Sequence, residues 1–171
     1  VKLKAKENIM NLSVHFGGSI DPFKDNPDLT NVVKDFIAKY INKNFSVSFT
    51  DQEKLLNIIF QGLRSGRDTN EIGQKMETVL GSQTDIYQVA LDAIMRPRAF
   101  QDIYMQQKAG ARYYTWQTVE DARVRPEHQK LNGKIFAYSP KDATKKYPYI
   151  PIYPGSEHLC RCIALPEFSI Y

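Results

Sequence analysis

Cysteine is almost missing from this chain: there are two in 171 residues, Cys160 and Cys162. One residue separates them, so an extended strand would hold both sulfurs on one face rather than in bridging geometry, and a disulfide framework is not expected. No apolar run approaches the ~20 residues that a membrane-spanning helix needs. The opening VKLKAKENIM has no apolar stretch of the secretory type, and the chain is expected to be soluble and cytoplasmic. It opens on Val1 rather than Met, as a piece of a longer protein would, so this expectation concerns these residues alone. There is no glycine-rich phosphate loop, no nucleophile motif, no internal repeat and no low-complexity tract. Charge of one sign is scarcely in excess, with 23 Lys and Arg against 19 Asp and Glu. That balance permits contact with nucleic acid without predicting it.

What is present is the composition of an ordered domain, 42% hydrophobic and 25% charged, long enough to bury a core without staples. Residues 1–29, with Gly17-Gly18, Pro22 and Pro27, read as an irregular arm that holds His15 and a short strand around Leu12 to Phe16. Residues 30–110 read as helical. Val32, Val33, Phe36, Ile37, Tyr40 and Ile41 recur at helical spacing from Asp28 or Thr30 to about Asn44. A second helix is predicted from Thr50, where Thr50 and Glu53 make a capping-box pattern, to Gly66. A third fits Thr69 to Leu80, with Gly81 just past its end. A long helical pattern then runs from Asp85 to about Ala109. Pro97 interrupts it, which predicts a kink or split near Met95 and Arg96.

After Gly110 the texture changes. YYTWQTV, KIFAY and CRCIAL are rich in aromatic and β-branched residues and read as short strands. Residues 111–171 therefore form a second module, and the predicted fold class is α+β, a helical N-terminal part followed by a small, mostly antiparallel sheet. Tyr113, Tyr114, Trp116 and Tyr138 are first of all core candidates, and any of them left exposed would point to a protein partner. The loop from Ser139 to Ser156 carries four prolines, and a loop of that length is usually functional or tied down by specific contacts.

Read in order, the second module holds Tyr114-Thr-Trp116, Asp121-Ala-Arg123-Val-Arg125-Pro-Glu-His128, Leu131-Asn-Gly133, a proline-rich loop, Cys160-Arg-Cys162 and Ala164-Leu-Pro166. This succession resembles the head-morphogenesis domain of the phage Mu F-like minor capsid proteins, from about Tyr113 to Pro166. The helix from Asp85 to Gly110 fits the helix that precedes that domain, and residues 1–84 lie outside the resemblance. It implies a minor head component of a phage or prophage, acting in the host cytoplasm during assembly and then in the virion. Its implied partners are other head proteins such as the portal, scaffold or major capsid protein. The Pro154-Gly155-Ser-Glu-His158-Leu approach to the cysteines departs from the family's pattern.

Several residue types here carry chemistry. Cys160, Cys162, His128 and Asp121, with His158 as a spare, are zinc-ligand types and could close a structural tetrahedral site. Alternatively the cysteines are small buried hydrophobes, Arg161 reaches a carboxylate, and His128 bonds a backbone carbonyl to lock the Leu131-Asn132-Gly133 turn. Asp121, Arg123 and Arg125 read most simply as a scaffold network. A catalytic alternative makes His128 a general base, Arg123 or Arg125 an anion stabiliser, and Asp121 or Glu127 the group that orients the imidazole. That set would suit a toxin-like enzyme acting on nucleic acid or nucleotides. Lys141, Lys145 and Lys146 beside Tyr147 and Tyr149, together with Arg96 and Arg98, could meet DNA, although solvated charge is the commoner reason for such a cluster.

Overall fold

The computed structural model describes residues 21–24, 26–82 and 85–169. The expected strand around Leu12 to Phe16 and His15 lie outside the described residues. Helix α1 is Pro27–Asn44. Asn26 caps it by accepting from the Leu29 amide at 3.1 Å, and Pro27 stands at its first turn, where a missing N–H costs nothing. The helix therefore begins earlier than the apolar spacing alone suggested. Just before it, Phe23 is buried edge-to-face on Phe60 at 4.9 Å, so this part of the expected arm belongs to the core.

Helix α2 is Phe49–Ser65. Ser48, not Thr50, is its cap, accepting from the Asp51 amide at 3.2 Å and donating to the Asp51 carboxylate at 2.8 Å. The cap needs an extended backbone, which Ser48 has, whereas Thr50 already lies inside the first turn. Gly66 ends the helix in the left-handed region at φ 60°. Helix α3 is Thr69–Leu80, the span read from the sequence.

Helix α4 is Ile86–Lys108, and it passes Pro97 as one 23-residue element. Of the expected kink or split, the split does not occur. The Pro97 side chain is buried, and packing along a helix of this length outweighs the single hydrogen bond that proline removes. Its upper half, with Ala90 and Ala93, closes the apolar core of α1, α2 and α3. Ile103, further along, packs on the aromatic cluster of the second module, so α4 serves both cores.

The sheet has three strands in the order β2-β1-β3. Strand β1 is Tyr113–Gln117, β2 is Ile135–Ala137 and β3 is Ile163–Glu167, and both neighbours run antiparallel to β1. One helical turn, α5 at Pro126–Gln129, lies between β1 and β2. The predicted α+β order is thus the observed one. Tyr113, Tyr114, Trp116 and Tyr138 are all buried, which makes them core rather than contact surface. The cysteines precede β3 instead of lying within it. The long loop is tied down: the Ala137 amide donates to the Pro148 carbonyl at 3.0 Å, and the Asp142 carboxylate takes Arg112 at 2.7 Å and Ser139 at 2.7 Å. Among the described residues no helix is long and apolar enough to cross a membrane.

Candidate functional site

His128 is positioned by a proline-initiated turn. Arg125 is extended, as the residue before a proline tends to be, Pro126 occupies the first helical position, and the Gln129 amide donates to the Arg125 carbonyl at 2.9 Å. This aims His128 inward, where it is 2% exposed and its ring centre lies 5.2 Å from that of Trp116. The Leu131-Asn132-Gly133 turn is not locked by the imidazole. The Asn132 side chain locks it, accepting from the Thr118 amide at 2.9 Å and donating to Glu120 at 3.0 Å, while the Gly133 amide donates to the Trp116 carbonyl at 2.8 Å.

The two cysteines arrive from the opposite end of the module. The Cys160 amide donates to the Glu157 carbonyl at 3.1 Å, and Leu159 takes a positive φ of 51°. That turn delivers Cys160 to the start of the segment that leads into β3. The result brings Cys160 Sγ within 3.6 Å and Cys162 Sγ within 3.8 Å of His128 Nδ1. All three residues are buried and both cysteines are free. Burial and the neighbouring Cys160 push the Cys162 thiol up to about 11. The other ring nitrogen, Nε2, donates to the Glu157 carboxylate at 2.6 Å. Glu157, which sequence reasoning missed, thereby holds the imidazole in place of the expected Asp121 or Glu127.

Asp121 sits outside this cluster, since Arg161 reaches its carboxylate at 2.7 Å and the Arg123 amide donates to it at 3.0 Å. The Arg161 guanidinium holds the Asp121 carboxyl well below the usual aspartate range. His158, the spare candidate, also points elsewhere, with Nδ1 3.2 Å from Asp92.

Asp92 is the second residue that periodicity did not reveal. It is 3% exposed and accepts from the Tyr40 hydroxyl at 3.0 Å and from the Leu159 amide at 2.8 Å. One carboxylate on α4 thus joins α1 to the turn that presents the cysteines. An acidic residue flanked by Val89, Ala90, Ala93 and Ile94 was the signal available in the sequence.

A cleft of about 410 Å³ borders the cluster and is lined by His128, both cysteines, Arg123, Arg125 and Arg161, with Tyr87 and Val119 at its apolar part. Asp121 does not line it. Of the basic residues considered for DNA, Arg96 is engaged with Asp92 at 3.7 Å and stacks over Tyr40. Lys146 lies over the Tyr147 ring, and Lys141, Lys145 and Arg98 are exposed.

Comparison with curated proteins and with solved structures gave no match. A family model described as Phage Mu protein F like protein matches residues 53–165. That span takes in most of α2, all of α3 and α4, and the His128, Cys160 and Cys162 constellation. It begins well before the stretch on which the sequence resemblance rested. The chain belongs to the phage Mu protein F-like family.

Proposed function

We propose that the chain is a minor head protein of a phage or prophage, working through protein–protein contacts during head assembly and retained in the virion. The observation that carries this reading is the family match from residue 53 to residue 165, because it spans helices and sheet module together instead of a short motif. The geometry supports it from two sides. Both ring nitrogens of His128 face partners, which weighs against the alternative in which that imidazole serves as a general base on nucleic acid or nucleotides. The buried aromatics leave other residues to meet a partner. Tyr87 and Val119 are exposed at the cleft, and Ile163, 54% exposed, stands on the edge strand β3.

The partners are other head proteins, the portal, scaffold or major capsid protein of the same genome. Contact with packaged DNA through Lys141, Lys145 and Arg98 is a finer form of the same proposal. Co-purification of the chain with each of those head proteins in turn is the test. Capture of one, weakened by Ile163→Asp or Val119→Asp, is the expected result. Failure with every head component overturns the proposal. Toxicity on expression that His128→Ala abolishes, with the fold intact, would instead favour the enzymatic alternative.

A further inference from the structure

We infer that His128, Cys160 and Cys162 hold one zinc ion, with Glu157 fixing the imidazole from behind and the fourth position open to the cleft. Zinc bonds sulfur at about 2.3 Å and imidazole nitrogen at about 2.0–2.1 Å, so tetrahedral angles require S···N near about 3.6 Å and S···S near about 3.8 Å. His128 Nδ1 lies 3.6 Å and 3.8 Å from the two sulfurs, and the three ligand atoms fall within 4.8 Å of one another. Both sulfur–nitrogen separations therefore match those of a tetrahedral zinc.

The hydrogen bonding points the same way. Nε2 donates to Glu157 at 2.6 Å, which fixes the tautomer that leaves Nδ1 as a lone-pair donor. A carboxylate behind a histidine ligand is the usual outer support of a zinc site. Nδ1 has one lone pair and faces two sulfurs, so two protonated thiols would compete for it, whereas one cation satisfies all three groups. The indole Nε1 of Trp116, whose ring lies against that of His128, is buried with no hydrogen-bond partner among the described residues. Two thiolates, a neutral imidazole and a divalent cation sum to zero charge, which suits a buried location. Sulfur ligands select zinc over magnesium or calcium.

No fourth His, Cys, Asp or Glu among the described residues joins the group, and Asp121 is committed to Arg161. The cleft that touches all three ligand residues leaves that position to water. Bound there, the ion ties α5 to the segment ahead of β3, where no strand ladder holds the chain.

The test uses the full chain, purified without chelator and with no head protein present, so its result is independent of the assembly proposal. Elemental analysis is expected to give about one zinc per chain. A thiol-blocking mercurial should release it, and cobalt exchanged into the site should show the thiolate charge-transfer band of a tetrahedral centre. No zinc, both as purified and after reconstitution with excess zinc, overturns the inference, as does stoichiometric iron or copper in its place. A Cys160→Ser and Cys162→Ser double variant would confound loss of metal with loss of fold, so the second arm is Glu157→Gln, which keeps every ligand. It should weaken zinc affinity roughly 10–100-fold by chelator competition, and an unchanged affinity removes Glu157 from the site.

Discussion

The helical region and the sheet module are built on different physical terms. In the first, Leu29, Val33, Ile37, Ile41, Leu55, Ile59, Ile72 and Met76, each on a stripe at helical spacing, fill the core together with Phe23, Tyr40 and Phe60. In the second, three strands of five, three and five residues make a short ladder. Its interior mixes Tyr114, Trp116, Phe136 and Tyr138 with two thiols and an imidazole. The first kind of core tolerates replacement by anything apolar of similar volume. The second depends on named partners, since a buried hydrogen-bonding group that loses its partner carries the full cost of desolvation. Little strand, much loop and directed contacts go together in the region that holds His128, Cys160 and Cys162.

That contrast can be broken at its strongest points first. Ile59→Ala in the helical core should cost about 2–5 kcal/mol and Trp116→Ala in the sheet module about 3–5 kcal/mol. Chemical denaturation followed by circular dichroism measures both losses. The second should also disrupt the His128 and cysteine cluster, which solvent reactivity of the thiols would reveal. Next comes Asp92→Ala, which strips the acceptor from the Tyr40 hydroxyl and the Leu159 amide and should cost about 3 kcal/mol. Its sharper signature is loss of coupling. Trp116 is the sole tryptophan, so its fluorescence follows the sheet module while helical dichroism follows the other region. The two transitions should coincide in the unmodified chain and separate in the variant.

A smaller effect is expected at Gly155, whose backbone has φ 83° and where an added Cβ would lie 2.5 Å from the Ala99 Cβ. Gly155→Ala should cost about 2 kcal/mol by forcing the proline-rich loop off α4, readable as a lower melting temperature and faster proteolysis in the loop. The smallest is electrostatic. The Asp121 carboxyl is depressed by Arg161, so the pair's contribution is fully present above the ordinary aspartate range near about 3.9 and is lost as pH falls through the lower folded value. Comparing acid unfolding of the unmodified chain with Asp121→Asn should show that this part of the pH dependence disappears in the variant, with the two curves parallel above about pH 5.

The helices were legible because their signals are local. The third helix was read to the residue, since Thr69, Leu80 and Gly81 carry its start, end and exit within one short segment. Where two local signals competed, the reading slipped. Thr50 and Glu53 matched a capping pattern, but Ser48, two residues earlier, had the extended backbone that a cap requires. At Pro97 the split that the local rule allowed does not occur, and the ring is buried within one continuous helix. In the sheet module the residue types of the candidate site were legible, but their partners were not. His128, Cys160 and Cys162 were named together, yet Asp121 was grouped with them although it faces Arg161, and Glu157 was missed although it holds the imidazole.

From the sequence alone came the α+β order, the helical stripes, the aromatic strands and the family kinship, because period, propensity and motif order are written along the chain. Tertiary structure alone decided which carboxylate serves which hydrogen-bond donor. Glu157 is 29 residues from His128, and Asp92 is 67 residues from Leu159. Contacts over such separations are set by how α4 and the pre-β3 turn pack, and no local pattern encodes that packing.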